Sequence, residues 1–394
     1  MMTIVDILIY VAFAFFASSL AKKSDKHIEV NDISPSRWDK YLTYFVLFFT
    51  VIGGIRWSVG GDSISYAVIF NTAYTDPDSK EAIWYAIVNW FHDWGLHWTL
   101  GLALCAFLQI FFITKALQPY RWLLIFMPFV FFGGRYWMDC MNAVRQMMVG
   151  CCFLWAIKYI YDKKIIFYAI FVLAGALIHQ SALILLPFYF MPKKLNLAEH
   201  RWLLIAVFLV CVAIGQVAKM SGLSEYVQMI AGATDYHRYE DSMAEMLSSG
   251  YDEEKLSFGP MMLTYLLIPL FTLSFGPELK KRFEDKIPYF NLWFNFAFFY
   301  ACSYFLVCNL GHIFIRPTMY FSLFQMVMAS LLLCYLWNDY KEYGLRQITT
   351  LAFCFIIALN TCWDVFKASG KSYESSTYKV SFFHKDQQKL FNLR

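Results

Sequence analysis

The chain has 394 residues, of which 59% are hydrophobic and only 16% are charged, and its formal net charge is +4. A soluble domain is typically about 45–50% apolar and about 25% charged, so a soluble fold of this composition would expose large apolar patches. The composition therefore excludes a disordered chain and a nucleic-acid-binding module. It predicts an all-α polytopic membrane protein, with residues 1–394 as a single integral membrane domain in the lipid bilayer.

Apolar runs that are long enough to cross a bilayer recur along the chain, since a spanning helix needs about 20 residues. The candidate spans are 4–20, 41–56, 97–117, 121–134, 138–160, 202–218, 258–276, 290–310, 314–336 and 347–363. Lys22 and Lys23 follow the first run, whereas the charges of a signal peptide precede it. We therefore expect a first transmembrane helix whose N-terminus lies outside the cytoplasm.

The apolar segment 165–191 is either one long tilted helix or two short helices that turn at His179. Lys and Arg concentrate on cytoplasmic loops, which allows the two arrangements to be compared. With two short helices, the cytoplasmic loops carry nineteen Lys and Arg residues, against eight in the outside loops before residue 364. We therefore expect a re-entrant or broken helix near 165–191 and about 11–12 transmembrane segments in all.

Three further segments lie on the outside in this topology. Segment 81–94 is amphipathic and too short to span, so we expect it to lie in the interface with Trp84, Trp90, Trp94 and Trp98 at headgroup depth. Segment 219–257 is a hydrophilic, acidic loop that either faces the substrate or is only solvated. Segment 364–394 is a basic C-terminal tail.

Ionisable residues in or beside transmembrane helices are costly, and each is by default a candidate for function. The first group is in segment 55–66, where Gly60-Gly61 interrupts the second helix between Arg56 and the residues Asp62 and Tyr66. Asp62 and Tyr66 are four residues apart and share a face if the chain resumes a helix. The alternative is a structural pair of Arg56 with Asp62.

The second group is in segment 133–146. Asp139, Asn142, Arg145 and Gln146 have the spacing of a polar stripe at the outer end of the helix predicted over 138–160, and Arg135 lies just before it. A lone arginine here would more often extend to the lipid headgroups. Two arginines with a carboxylate and an amide favour a binding site.

The last two groups follow later in the chain. His179 lies inside an apolar segment, where a histidine is more often structural than functional. Arg316 precedes Pro317 and so is predicted at the mouth of the helix over 314–336, with Tyr320 one turn inside it and His312 nearby.

In the predicted topology all four groups reach the same side of the membrane, where the arginines form a cationic site. Arginine is suited to bidentate recognition of phosphate and carboxylate groups. A lipid-linked pyrophosphate has both the charge and the depth that such a site requires.

These motifs, in their order and spacing, also resemble a known family. Arg56-x3-Gly60-x-Asp62-x3-Tyr66, then Arg145-Gln146, then His179 and finally Arg316 with Tyr320 are similar to the EpsG branch of the Wzy-type polysaccharide polymerases. The resemblance extends over about residues 40–340. Gly61 departs from it, because a small polar residue is expected before the aspartate.

The resemblance implies a GT-C-like bacterial inner-membrane glycosyltransferase with its active site facing the periplasm or the outside. Such an enzyme transfers a glycan chain from undecaprenyl pyrophosphate to the non-reducing end of a lipid-linked repeat unit. The resemblance implies a product that is O-antigen, capsule or exopolysaccharide, no metal or other cofactor, and a chain-length regulator of the Wzz type as partner.

Two residues are candidates for the base that activates the acceptor hydroxyl. Asp62 is preferred because it lies in a glycine-containing loop beside Arg56, and His179 is the alternative. Two other functions compete with polymerisation. A flippase or transporter of the same lipid-linked oligosaccharide would place its charges along a central path between repeated halves, and a membrane O-acyltransferase would also use an intramembrane histidine.

Overall fold

In the computed structural model, which describes residues 2–73, 79–217, 260–309, 312–338, 344–368 and 377–383, the chain is almost entirely helical. The predicted loop 219–257 lies outside the described residues, as does most of the tail 364–394. The helices of the first half are α1 (Met2–Val30), α2 (Lys40–Gly54), α3 (Ser63–Thr72), α4 (Ala82–Asp93), α5 (Trp98–Leu117), α6 (Arg121–Leu124), α7 (Met127–Gly133), α8 (Tyr136–Asn142), α9 (Val144–Tyr161) and α10 (Ile165–Ala176), with a 3-10 turn at Gln118–Tyr120.

The second half begins with a 3-10 helix over Gln180–Phe190. The helices after it are α11 (Arg201–Val217), α12 (Pro260–Ser274), α13 (Gly276–Phe283), α14 (Phe290–Val307), α15 (His312–Ile315), a 3-10 helix over Arg316–Phe321, α16 (Ser322–Asn338) and α17 (Gly344–Ala368). Two short strands, β1 (Arg56–Trp57) and β2 (Lys379–Val380), and a 3-10 turn at Ser381–Phe383 complete the described chain.

Within the described residues, four helices are long and apolar enough to cross a membrane, or five if the bent pair α12–α13 is one span. Four shorter apolar helices accompany them: α2, α10, the 3-10 helix over Gln180–Phe190 and α11. The prediction of an all-α polytopic membrane protein is confirmed. The predicted total of 11–12 segments is higher than this count because several predicted spans are short or divided.

The helices pack in a bundle in which α5 lies between α2 and α9, and α14 lies between α11 and α16. Small residues allow the closest of these contacts. A side chain at Gly53 of α2 would place its Cβ 2.4 Å from the Cβ of Ala106 on α5. The bundle core is aromatic and includes Trp137, Trp293 and Phe153.

The break predicted at His179 is confirmed. Helix α10 ends at Ala176, His179 is extended with φ −151° and ψ 109°, and the next helix starts at Gln180. The amide groups of Ile178 and His179 both donate to the carbonyl of Gly175, at 3.0 and 2.8 Å, which closes the end of α10. His179 therefore lies at a helix end and is not held within a continuous span.

The helix predicted over 138–160 is wrong as a single element, because it is divided into α8 and α9 at Ala143. The break leaves backbone carbonyls without helical partners, and one side chain from another element bonds to carbonyls on both sides of it. Gln109 on α5 donates to the carbonyls of Cys140 and Val144 at 2.9 and 3.1 Å. Buried polar groups need such partners, so these contacts stabilise the break.

The interfacial helix predicted at 81–94 is found as α4, but its tryptophans divide between two environments. Trp90 and Trp94 are exposed, as a headgroup position requires. Trp84 and Trp98 are each 1% exposed and pack with Phe70 in a second aromatic core beside α3. Trp84 and Trp98 are therefore buried where α3, α4 and α5 meet, whereas Trp90 and Trp94 face away from the bundle, and the headgroup depth of the four stays a prediction.

The C-terminal segment returns to the end of α2. Strand β2 pairs antiparallel with β1, with Arg56 opposite Val380 and Trp57 opposite Lys379. The Tyr378 hydroxyl donates to the carbonyl of Ile52 at 2.8 Å, and the Ser381 amide donates to that of Ile55 at 2.8 Å. Residues 377–383 thus lie at the same end of the bundle as Arg56.

Candidate functional site

A single carboxylate joins three segments at this end of the bundle. Glu81, just before α4, accepts hydrogen bonds from the Nδ1 atom of His179 at 3.1 Å and from the backbone amide of Gln180 at 3.1 Å. Its second oxygen accepts from the Arg145 guanidinium at the start of α9. We call Glu81, Arg145 and His179 the Glu81 cluster.

The backbone holds Glu81 in this position. The first amide groups of α4, those of Ile83 and Trp84, donate to the carbonyl of Leu177 at 3.0 and 3.2 Å. The free N-terminal amides of α4 are thereby satisfied by the free C-terminal carbonyl of α10. Glu81 and His179 are adjacent because the two helix ends are joined.

Opposing effects act on the ionisation of Glu81. Burial raises the pKa of its carboxyl group, while the hydrogen bond from His179 and the positive charge of Arg145 lower it. The lowering effects prevail, so the pKa of Glu81 lies below its ordinary value and the carboxylate is ionised at neutral pH. An ionised acceptor on Nδ1 favours the tautomer of His179 whose Nε2 is unprotonated and can accept a proton.

Arg145 is held by aromatic groups as well as by Glu81. Its guanidinium lies over the ring of Trp84, 5.6 Å from the centroid, and the buried phenol of Tyr66 lies beside it. About a quarter of the Arg145 side chain remains accessible. A guanidinium has five N–H donors, so one contact with Glu81 leaves donors for a second anion.

Arg56 has a different environment. It is 1% exposed, and its guanidinium donates to three backbone carbonyls, those of Gly53, Val59 and Met141. The structural pair of Arg56 with Asp62 that the sequence allowed is therefore not formed, because carbonyl groups take these donors. Arg56 fixes the loop after α2 against the end of α8.

Asp62 lies at the start of α3, as the glycine break predicts, and is half-buried. The Tyr66 amide donates to the Asp62 carbonyl at 3.1 Å, which begins the helix. The Asp62 amide donates to Asn142 Oδ1 at 3.0 Å. Gly60 permits this approach: its φ is +86°, and a Cβ there would lie 2.6 Å from the Met141 carbonyl.

Two contacts bring the Arg316 segment to the same place. Gln146, which directly follows Arg145 in α9, donates from Nε2 to the backbone carbonyl of Arg316. The buried Tyr320 hydroxyl lies 2.8 Å from Ser181 Oγ, two residues after His179. The Arg316 side chain is exposed. His312 begins α15, and its side chain lies outside the described residues.

Arg135 and Asp139 lie in a separate group of side chains. Their nearest charged atoms are 4.0 Å apart, and Asp139 interacts electrostatically with Tyr136 and Tyr300. The continuous stripe predicted from Asp139 to Gln146 is wrong, because the break at Ala143 changes the helical register between Asp139 and Arg145. The residues predicted to form one stripe therefore lie in two places: Asp139 lies beside Arg135, and Arg145 lies beside Glu81.

The contacts above join all four predicted groups. Arg56 and Asp62 contact α8, Arg145 and His179 meet through Glu81, and Ser181 contacts Tyr320. Glu81 is absent from the residues that sequence reasoning selected. Its only local signal is an acidic residue at the start of an amphipathic helix, which is common at helix N-termini. In the part of the chain that the structure describes, no group of three His, Cys, Asp or Glu residues could hold a metal ion.

Comparison with known protein families identifies the family of this chain. The EpsG family model matches residues 39–379. The chain belongs to the EpsG family. This family consists of polysaccharide polymerases of the Wzy type, and the match includes the Glu81 cluster and all four polar groups. No curated protein and no solved structure matches the chain.

Proposed function

We propose that this EpsG-family protein transfers a glycan chain from undecaprenyl pyrophosphate to the non-reducing end of a lipid-linked repeat unit. The observation that carries the proposal is the Glu81 cluster, in which a histidine and a partly accessible arginine both contact Glu81. A glycosyl transfer with a pyrophosphate leaving group needs both groups, a base for the acceptor hydroxyl and positive charge for the leaving group.

His179 is the proposed base. With Nδ1–H donated to Glu81, the Nε2 atom takes the proton of the acceptor hydroxyl as its oxygen attacks the anomeric carbon. The bond from that carbon to the pyrophosphate oxygen breaks, and the pyrophosphate leaves on its lipid. The ionised Glu81 stabilises the imidazolium that forms, as the aspartate does in a Ser-His-Asp triad.

Arg145 and Arg316 are the proposed pyrophosphate ligands. Arg145 is partly accessible and oriented by Glu81 and Trp84, and Arg316 is exposed on a segment that Gln146 ties to the same helix. Charge-assisted hydrogen bonds contribute about 1.5–3 kcal/mol each, and they count most where the leaving group gains charge.

The remaining predicted residues support this arrangement. Arg56 and Asn142 position the loop that carries Asp62, and Tyr66, Gln146 and Tyr320 hold Arg145 and the Arg316 segment. Asp62 is the alternative base, because it is a half-buried acidic residue on this loop. His179 is preferred because it has an acceptor on Nδ1 that orients its ring.

We further propose that the protein lies in the bacterial inner membrane with the Glu81 cluster at the outer leaflet. The excess of Lys and Arg on the opposite loops supports this orientation. There the cluster would meet lipid-linked repeat units after their export. A chain-length regulator of the Wzz type is the proposed partner.

The test is the glycan profile of a deletion strain that expresses either the wild-type gene or the His179→Gln variant. A polymerase variant should leave single repeat units on the outer surface without a ladder of longer chains. Absence of all repeat units from the surface would instead support the flippase. Normal ladders with altered acylation would support the O-acyltransferase.

A further inference from the structure

Two lysines lie at the end of the bundle that is opposite the Glu81 cluster. Lys115 is in the last turn of α5, and Lys158 is in the last turn of α9. Lys158 follows Arg145 by 13 residues on the same helix, which corresponds to about 20 Å along its axis. In the orientation proposed above, the two lysines therefore lie at the cytoplasmic leaflet.

The packing of α5 against α9 brings these two lysines together. Gln109 of α5 contacts the start of α9 at Val144, and further along the ring of Phe112 contacts that of Trp155, with 5.6 Å between the centroids. Because the contacts advance in the same direction along both helices, α5 and α9 run parallel and end at the same side of the bundle. Each lysine is three residues beyond one of these two rings, and the two ammonium charges repel each other.

Little negative charge compensates this pair of lysines. Among the residues that the structure describes, neither forms an ion pair with a carboxylate, and Lys115 donates to the neutral amide oxygen of Gln118 at 3.2 Å. Asp162 attracts Lys158, but it forms its ion pair with a third lysine, Lys164, at 3.4 Å. Each helix C-terminus contributes about −0.5 charge, so the two helix ends offset about half of the positive charge of the pair. The surface around the two lysines therefore remains cationic.

Aromatic rings orient both ammonium groups. The Lys158 Nζ atom lies 3.3 Å from the centroid of the Trp155 ring and 4.9 Å from that of Tyr159. The Lys115 Nζ atom lies 5.4 Å from the centroid of the Trp38 ring. Both lysines are only half-buried. Contact with a ring face orients an ammonium group but does not neutralise it, so both lysines keep charge and N–H donors for an anion.

An exposed apolar surface lies next to the two lysines, at the start of α10. The ring of Tyr159 stacks on that of Phe167 at 5.6 Å between centroids, which joins the end of α9 to α10. Ile166, Phe167 and Ile170 are exposed. A ligand with an anionic head and apolar chains matches both features, because its head would contact the lysines while its chains cover α10. A free phosphate ion would match only the charge.

We propose that Lys115 and Lys158 bind the phosphate of an anionic phospholipid of the cytoplasmic leaflet, whose acyl chains pack on the exposed face of α10. Basic pockets between transmembrane helices bind anionic headgroups in this way. The phosphate removes the repulsion between the two ammonium groups and so holds the ends of α5 and α9 together. The inference rests on the proposed orientation in the membrane and adds a lipid site that is separate from the Glu81 cluster.

Native mass spectrometry of the purified full chain in detergent, titrated with lipid, tests the inference. The probes are phosphatidylglycerol, which is anionic, and phosphatidylcholine, which has the same acyl chains but no net charge. The test variant combines Lys115→Gln with Lys158→Gln. The matched control combines Lys193→Gln with Lys280→Gln, which also removes two positive charges from predicted cytoplasmic loops. These two lysines already have acceptors, since Lys193 bonds to a backbone carbonyl and Lys280 contacts two carboxylates.

We expect the wild-type protein to bind its first phosphatidylglycerol at least tenfold more tightly than phosphatidylcholine. The test variant should lose this preference, whereas the control variant and Lys158→Arg, which keeps the charge, should retain it. Unchanged binding of phosphatidylcholine establishes that a variant is folded. If the test variant does not bind phosphatidylcholine normally, Lys158→Gln alone replaces it, with a severalfold loss of the preference expected.

Equal affinity of the wild-type protein for the two lipids would overturn the inference, as would an equal loss of the preference in the test and control variants. Displacement of phosphatidylglycerol by an equal concentration of glycerol 3-phosphate would also overturn it, because the lysines would then bind the phosphate group alone. None of these results affects the proposed function. That function fails on a different measurement, namely normal polymerisation by the His179→Gln variant.

Discussion

Glu81 and His179 are 98 residues apart in sequence, yet a carboxylate oxygen of Glu81 lies 3.1 Å from Nδ1 of His179. This contact orients the imidazole ring and fixes which nitrogen is free to accept a proton. It gives the histidine an environment suited to base catalysis, although its sequence context is only an apolar run.

Replacing Glu81 by glutamine should lower polymerisation by about 10²–10⁴ with little change in substrate binding. Glutamine is nearly isosteric, but it lacks the charge that stabilises the imidazolium and can present an amide donor to Nδ1. The measurement is in vitro polymerisation of synthetic lipid-pyrophosphate repeat units, with donor binding followed separately. Glu199→Gln is the matched control, because Glu199 is exposed and its partner is Lys280. Equal activity of the two variants would exclude this role for Glu81.

The Glu81 cluster should also make stability depend on pH in the acid range. Burial raises the pKa of Glu81, but the hydrogen bond from His179 and the charge of Arg145 lower it by more than burial raises it. The pKa of Glu81 in the folded protein is therefore below the ordinary carboxyl value. A group with a depressed pKa stabilises the folded state at higher pH, and this contribution is lost as the pH falls through the folded value. The wild-type protein should therefore have a higher melting temperature than the Glu81→Gln variant at pH 7 in detergent. This difference in melting temperature should diminish below about pH 4.3. A difference that persists unchanged at pH 3 would contradict the ionised cluster.

The hydropathy and charge of the sequence were sufficient for the membrane class, for most helices and for the break at His179. They could not predict the break at Ala143, because the side chains that bond to carbonyls around it, Gln109 of α5 and Arg56 of β1, are distant in sequence. Glu81 was missed for the same reason. Its role depends on Leu177, whose carbonyl joins α4 to α10, and no local pattern in the sequence records that contact.

Arg145→Lys should lower the affinity for lipid pyrophosphate by about 10- to 150-fold, equivalent to the 1.5–3 kcal/mol of one charge-assisted hydrogen bond. Lysine keeps the charge but loses the planar group that contacts Glu81 and lies over Trp84. Titration with farnesyl pyrophosphate measures the effect. Arg201→Lys is the control, because Arg201 binds Glu278 at 2.5 and 2.6 Å in another part of the bundle. If both variants bind alike, Arg145 does not bind phosphate.

Arg56→Lys should instead lower the stability of the protein. Arg56 is buried, and lysine cannot reach the carbonyls of Gly53, Val59 and Met141 with the same geometry. Loss of such contacts from a buried polar network lowers the free energy of unfolding by about 1–3 kcal/mol. We expect a lower melting temperature and less protein in the membrane, while the variant that does fold keeps its affinity for farnesyl pyrophosphate. Normal melting with weak pyrophosphate binding would assign Arg56 to the substrate site.

His179→Gln and Asp62→Asn together decide which residue is the base. Both substitutions keep approximate size and hydrogen bonding but remove the proton acceptor. His179→Gln should lower turnover by about 10²–10⁴, the usual contribution of a positioned base. Asp62→Asn should have a much smaller effect, because the contacts that hold this loop use the backbone amide and carbonyl of Asp62, which the substitution retains. Turnover of synthetic lipid-linked repeat units, measured at saturating substrate, separates the two. A severe loss in Asp62→Asn with normal turnover in His179→Gln would transfer the base to Asp62 and leave the Glu81 cluster with a structural role.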